Sequence, residues 1–302
     1  MISNSISDKP QPSLFSYEKA FSRNLGWITG AEAKKLQNSR VAIAGMGGVG
    51  GSHLITLVRL GVNSFHIADF DQFEVENFNR QYGASMSQVG AKKVDVMAKL
   101  ARDINPEINI KIFSEGVTPQ NLSSFLDGVD VYLDGLDIFA MDVRQQIFMA
   151  CYKLQIPAVT VGPIATGASL MTFIPGKMSF DQYFNFRNLA LDQKVLTFIL
   201  GLAPSFMQVS CLVDKKYFNA SQGRTPSTPM GCMIASGVAA TEVMKILLNR
   251  GKIRAAPWSQ HYDPFLQKYR CKYILGGHKN PWHRLKIYFA MKLYGKSTND
   301  LS

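Results

Sequence analysis

The chain has 302 residues, 46% hydrophobic and 18% charged, enough apolar content for a substantial core and too much for a disordered chain. Its formal net charge of +11 is uneven: Arg250 to Ser302 holds eleven Lys or Arg against two Asp, so the basic character is confined to the tail. The four cysteines, Cys151, Cys211, Cys232 and Cys271, are widely spaced with no CxxC pair, which argues against a disulfide framework and a four-thiolate zinc site.

Residues 1–14 are polar and Pro-containing and read as a flexible arm. They lack a basic start followed by an apolar stretch, and no later apolar run approaches a membrane span, so a non-secreted, cytoplasmic protein is expected. Phe15 to Leu36 reads as helix interrupted near Gly26–Gly30, with Arg23 in its first half. Val41–Ala44 is a short strand that breaks into Gly45-Met46-Gly47-Gly48-Val49-Gly50-Gly51, followed by a helix to Leu60 and a strand Ser64–Ala68 ending at Asp69. This is the order of a nucleotide-binding βαβ unit. Gly45, Gly47, Gly48 and Gly50 let backbone N–H groups approach phosphates, and Asp69 suits ribose hydroxyls.

Asn77, Arg80 and Lys93 follow closely. Hydride transfer has no use for such cations, whereas cleavage of a nucleoside triphosphate must meet moving negative charge. The next helix is expected over Gly90–Ile104, then a half-exposed strand at Ile108–Ile112. Thr118-Pro119 reads as the start of a short helix. A strand at Val129–Leu133 ends in Asp134-Gly135-Leu136-Asp137. Helix Phe139–Leu154 and strand Pro157–Val161 complete an alternating pattern that implies a parallel sheet covered on both faces. Gly162–Pro175 is strand-rich, Lys177–Met230 is rich in Phe, Tyr and turn residues, and Gly231–Arg250 is helical. A last helix is expected over Pro281–Gly295, with Trp282, Leu285, Phe289 and Leu293 on one stripe. It either docks on the body or lies on a membrane surface with snorkelling lysines.

The GxGGxG loop, Asp69-Phe70-Asp71, Asn77-x-x-Arg80-Gln81, Gly90-x-x-Lys93 and the later Asp137, in this order, resemble the ThiF/MoeB family, relatives of the ubiquitin-activating enzymes. The likeness runs from about Arg23 to Pro175 and returns in the late helix. It implies a Rossmann-like doubly wound α/β fold whose mostly parallel sheet continues into antiparallel strands. An adenylation domain would span 15–250, with 177–230 over the crevice and 251–302 as a basic extension. Many relatives carry two CxxC pairs for zinc; this chain departs from them, and no structural zinc is expected.

The resemblance implies ATP and Mg²⁺ as cofactors and activation of a carboxylate by attack on the α-phosphorus. Asn77, Arg80 and Lys93 would hold the triphosphate or departing pyrophosphate, and Asp137 would hold Mg²⁺. The spacing selects Lys93 over its neighbour Lys92. Arg23 matches an arginine that relatives contribute across a homodimer to the other active site; the alternative is a solvated helix arginine. Cys232, at the start of the late helix, is either an acyl-accepting thiol activated by the helix N-terminus or a small core residue, with Cys211 in reserve.

The favoured substrate is the C-terminal carboxylate of a ubiquitin-like or sulfur-carrier protein. A modified tRNA base or a small molecule is the alternative, the basic tail suiting tRNA. A non-catalytic, NAD-type nucleotide-binding protein is a third possibility, opposed by Arg80, Lys93 and Asp137 occurring together.

Overall fold

The computed structural model describes residues 15–214, 217 and 225–294; the arm assigned to 1–14 lies outside them. Tyr17–Phe21 (α1) and Gly30–Gln37 (α2) flank a 3-10 turn at Ser22–Asn24. Gly26 breaks the helix at φ +100°, a conformation glycine adopts without strain. Thr29 restarts it with a capping box, in which its side chain accepts from Glu32 N and the Glu32 carboxylate accepts from Thr29 N.

Five strands run parallel: β1 (Arg40–Ala44), β2 (Ser64–Ala68), β3 (Asn109–Phe113), β4 (Val131–Asp134) and β5 (Ala158–Ile164). Three continue antiparallel: β6 (Gly167–Phe173), β7 (Trp258–Asp263) and β8 (Lys268–Tyr273). The sheet order is β3-β2-β1-β4-β5-β6-β7-β8. The remaining helices in chain order are α3 (Gly48–Leu60), α4 (Lys93–Ile104), α5 (Leu122–Leu126), α6 (Met141–Lys153), α7 (Phe180–Phe184), α8 (Leu191–Leu202), α9 (Pro229–Leu248) and α10 (Pro281–Tyr294).

Successive side chains of a strand point to opposite faces, so the central strands feed two cores. Val41, Ile43, Val131, Leu133 and Val159 pack with α3, α4 and α9; Ala42, Ala44, Tyr132 and Ala158 pack with α5, α6, α7 and α8. Burial on both faces explains why these strands read as unbroken apolar runs. The fold is the doubly wound, mostly parallel sheet with antiparallel continuation that the sequence implied.

Several boundaries differ from the sequence reading. Helix α4 begins at Lys93 because Gly90 takes φ +83° and Lys92 is extended. Thr118 and Asn121 satisfy one another's backbone N–H groups in a separate turn, so α5 starts only at Leu122. Within 177–230, α7 and α8 are core elements: their Phe180, Tyr183, Phe184 and Phe198 are buried with Phe148 and Phe173. Helix α9 has 20 residues with mean hydropathy 1.5, long and apolar enough to cross a membrane, contrary to the expectation that no run approaches that length. Here its Ala235, Ala239 and Val243 are buried in the first core, and Thr172 Oγ1 donates to its buried Glu242 at 2.9 Å.

Within the basic extension, β7 and β8 are strands of the same sheet. Helix α10 buries His283, whose ring centroid lies 6.3 Å from that of Tyr183, while Trp282, Leu285 and Phe289 are exposed. The helix therefore docks through a different face from the expected stripe; the side chain of Leu293 lies outside the described residues.

Candidate nucleotide site

Strand order reverses between β1, which leads outward to β2 and β3, and β4, which leads to β5. In such sheets ligands bind beyond the carboxyl ends of the strands at this reversal. Gly45 leaves β1 at φ +87°, and a Cβ there would lie 2.2 Å from the Gly135 carbonyl oxygen. A Cβ on Gly50 would lie 1.7 Å from the Gly45 carbonyl oxygen. Both positions exclude any side chain on space alone. Gly47 and Gly48 are bare for another reason: they lie beneath Gln81, Arg80 and Cys232, the Cys232 Sγ being 3.1 Å from where a Gly48 Cβ would sit. Gly48 also opens α3, whose first-turn N–H groups have no intrahelical acceptors and suit an anion.

Asp69 ties the loops together. Its Oδ2 accepts from Met46 N at 2.6 Å and its Oδ1 from Asp71 N at 2.8 Å. Burial nevertheless pushes its pKa up, against the pull of these N–H groups and of Lys93. Lys93 is buried and its Nζ lies 3.0 Å from Asp71 Oδ2, whereas Lys92 is exposed. Of the two lysines, Lys93 is thus the one facing inward.

Asn77 is buried, and its Oδ1 accepts from Glu74 N at 3.0 Å, closing a 3-10 turn at Val75–Asn77. Its carbonyl group is spent on the loop that presents Arg80 rather than left open to a ligand. Arg80 is half-buried. Its Nη1 donates to Glu76 O at 3.1 Å and Asn79 Oδ1 at 2.9 Å, and no carboxylate among the described residues pairs with it. Asn79 Nδ2 donates in turn to Ser227 O at 3.1 Å, so residue 227 is where the divergent region reaches this loop.

Beyond β4, the two acids have separated roles. Asp134 is buried and fully engaged: Oδ2 accepts from Arg144 Nε and Thr160 Oγ1, each at 2.8 Å. Arg144 Nη2 also donates to Leu136 O at 2.8 Å and Asp137 O at 3.1 Å, fixing the loop's path. Asp137 is exposed, and its Oδ1 accepts from Phe139 N at 2.9 Å. No group of three or more His, Cys, Asp or Glu among the described residues has metal-holding geometry. A single exposed carboxylate fits a Mg²⁺ ion delivered on nucleotide phosphates, which typically takes one or two carboxylates from the protein.

Cys232 is buried, and burial pushes its thiol up, against smaller pulls from Ser227 and Arg80. The activation expected from the helix N-terminus is thus outweighed by desolvation. Cys211, in the 3-10 turn Met207–Cys211, stands 3.8 Å from Asp263 Oδ2 and is raised as well, burial first and Asp263 second. Arg23 is exposed on the turn that Asn24 Nδ2 anchors to Arg59 O at 3.0 Å. That anchor is eleven residues along α3 from Gly48, roughly 16 Å at helical rise, so Arg23 does not enter the loop of its own chain.

Two contributors escaped the sequence reading. Gln81 is buried beside Gly47 with its Oε1 unpartnered among the described residues, although it stands in the Arg80-Gln81 pair of the motif. Arg144 shares an interior helix phase with Met141, Phe148 and Cys151; a cation at an apolar phase was the available signal.

A sequence model of the ThiF family matches residues 21–281. The chain is 35% identical over 141 residues to a tRNA threonylcarbamoyladenosine dehydratase of Bacillus subtilis strain 168, covering 46% of this chain and 55% of the relative. It is 30% identical over 142 residues to the sulfur carrier protein ThiS adenylyltransferase of Escherichia coli K12, covering 47% and 56%. The chain therefore spans about half the length of the curated relatives it matches. In fold it is similar to crystal structures of PaaA (TM-score 0.64, 17% identity, 88% of this chain and 78% of that one). It is likewise similar to E. coli MccB with ATP (TM-score 0.58, 18% identity, 80% and 65%). With the glycine loop, the Asp71–Lys93 pair, Arg80 and Asp137 all in the loops that follow the parallel strands, and a family match over most of its length, the chain belongs to the ThiF family.

Proposed function

We propose that the chain is an ATP-dependent adenylating enzyme that activates a substrate carboxylate as an acyl-adenylate, releasing pyrophosphate. The observation that carries this reading is Arg80: a half-buried guanidinium without a carboxylate partner among the described residues, lying over the bare backbone of Gly48. A cation left uncommitted beside a phosphate loop serves charge that arrives and moves.

Gly45, Gly47, Gly48 and Gly50 would receive the phosphates and Asp69 the ribose. Arg80 and Lys93 would stabilise charge on the departing pyrophosphate, with the Gln81 amide a further polar group at the loop. Asn77 acts by holding the Arg80 turn. Mg²⁺, when bound, would screen the phosphates, with Asp137 supplying a carboxylate. The acceptor favoured here is the C-terminal carboxylate of a sulfur-carrier or ubiquitin-like protein, supported by the likeness to the ThiS adenylyltransferase. A second reading, a modified tRNA base, is supported by the dehydratase relative and by exposed Lys268, Arg270 and Lys272 on β8.

ATP–pyrophosphate exchange with candidate acceptors, a small carrier protein ending in Gly-Gly on one side and tRNA on the other, tests this. Arg80→Ala and Asp137→Asn are expected to lower exchange on the order of 100- to 1000-fold, with a smaller change in ATP affinity, because they meet charge that develops in the reaction. Wild-type exchange rates in both variants would remove the catalytic assignment, and preference for NAD over ATP would remove the adenylation reading altogether.

A further inference from the structure

Helix α10 is apolar on two opposed sides. At 100° per residue, His283 and Ile287 share one face, and Trp282, Leu285 and Phe289 fall within about 60° of arc centred about 150° away. The first face is the docked one: His283 is buried and Ile287 is half-buried. The second is open, with Trp282 74% exposed, Leu285 44% and Phe289 53%. Leu275, also exposed, precedes the helix, and its carbonyl oxygen accepts from Asn280 Nδ2 at 3.1 Å. Three large side chains on one exposed stripe are not needed to hold the helix in place, since its opposite face does that.

Charge selects what could cover this stripe. From Pro264 to Asn299 the chain carries eight Lys or Arg and no Asp or Glu. Arg284, Lys286 and Lys292 are exposed on α10 itself, and Lys286 and Lys292 lie to either side of the apolar ridge. Lys286 Nζ stands 5.5 Å from the centroid of the Phe206 ring. Lys268, Arg270 and Lys272 are exposed on the edge strand β8. An aromatic and aliphatic ridge flanked by long cations is the composition of a helix lying in a bilayer interface, its rings at headgroup depth and its lysines reaching anionic phosphates. Nucleic acid would use the cations but offers no continuous apolar layer to cover three neighbouring large side chains, as an acyl-chain boundary does.

We infer that α10 is a membrane-surface anchor, docked to the body through His283 and Ile287 and presenting Trp282, Leu285 and Phe289 to an anionic lipid headgroup layer. This inference is independent of the adenylation chemistry. The full chain is expected to co-sediment with vesicles of mixed phosphatidylglycerol and phosphatidylcholine and not with phosphatidylcholine alone. Because the three residues are exposed, the combined variant Trp282→Ser, Leu285→Ser, Phe289→Ser should fold normally and keep pyrophosphate exchange, while vesicle affinity falls on the order of tenfold per side chain. Replacing Arg284 and Lys292 with Gln should weaken binding about fivefold per cation and flatten its salt dependence. Tryptophan emission of the full chain should shift to the blue on anionic vesicles, and the Trp282→Phe variant should lose most of that shift.

Failure of the full chain to bind anionic vesicles overturns the inference, as does undiminished binding by the triple variant. Two other outcomes also overturn it. In one, the triple substitution abolishes tRNA binding while vesicles are ignored, making nucleic acid the occupant. In the other, it dissociates a dimer seen by sedimentation velocity, making the face a contact between copies.

Discussion

His53 lies on α3 three residues after Gly50, fully buried, with neither ring nitrogen partnered among the described residues. Burial drives its pKa from 6.5 down to about 3. A histidine depressed in the folded state takes up protons more readily when unfolded, so its contribution to stability is intact above the unfolded value and drains away as pH falls from 6.5 toward 3. By pH 5 the loss from this residue amounts to about 2 kcal/mol. His283, lowered to about 4 by burial and by Lys286, acts in the same direction. Urea midpoints measured at pH 7.5 and pH 5 should therefore fall on acidification, and His53→Leu should fall less. Equal acid sensitivity in the two proteins would show that His53 is not the buried titrating group. Arg80 presents the opposite case at the same scale: partly accessible, with hydrogen bonds among the described residues only to Glu76 O and Asn79 Oδ1, it is available for a ligand's charge where His53 is sealed from one.

At the scale of elements, the loop after β4 depends on a buried cluster. Asp134, Arg144 and Thr160 join β4, α6 and β5, and Arg144 stacks over the Phe198 ring at 4.7 Å, adding α8. Removing one partner of such a pair leaves an uncompensated charge and costs about 3–5 kcal/mol. Arg144→Met is therefore expected to lower the denaturation midpoint sharply. In whatever protein remains folded, it should also lower pyrophosphate exchange through the displaced Asp137 loop. Asp134→Asn should be comparably damaging on both measures, because it strands the buried Arg144 guanidinium and an amide cannot accept at both positions where the carboxylate oxygens now do. Much of this architecture was legible in the sequence because local signals and burial agreed: β1, the glycine turn, α3 and β2 each follow from an apolar run and a backbone requirement. The site residues were legible to the extent that their types are unusual in loops, as with Arg80 and Asp137. Arg144 and Gln81 were not, because their roles come from elements distant in sequence. Helix α10 was misread in its facing because its apolar residues serve two sides, and periodicity alone does not say which side the body occupies.

For the whole molecule, the position of Arg23 bears on assembly. Arg23 is exposed and stands near the far end of α3 from its own phosphate loop, so a role in catalysis requires a second copy. Mixing an inactive Arg23→Ala chain with an inactive Asp137→Ala chain is expected to restore exchange in the fraction of heterodimers that combines one intact set. Absence of recovery, with subunit exchange demonstrated, would remove the role in trans. One further consequence follows from the three glycines that meet between β1 and β4. A Cβ on Gly135 would lie 2.7 Å from Gly50 Cα and 2.8 Å from Gly45 O, so main chain rests on main chain with no rotamer between. The spacing between the phosphate loop and the Asp137 loop is therefore a hard stop rather than an adjustable joint. Engineering for a bulkier or smaller nucleotide would have to move whole strands, whereas changes of acceptor remain open to side-chain design around residues 225–228 and the exposed surface of the tail.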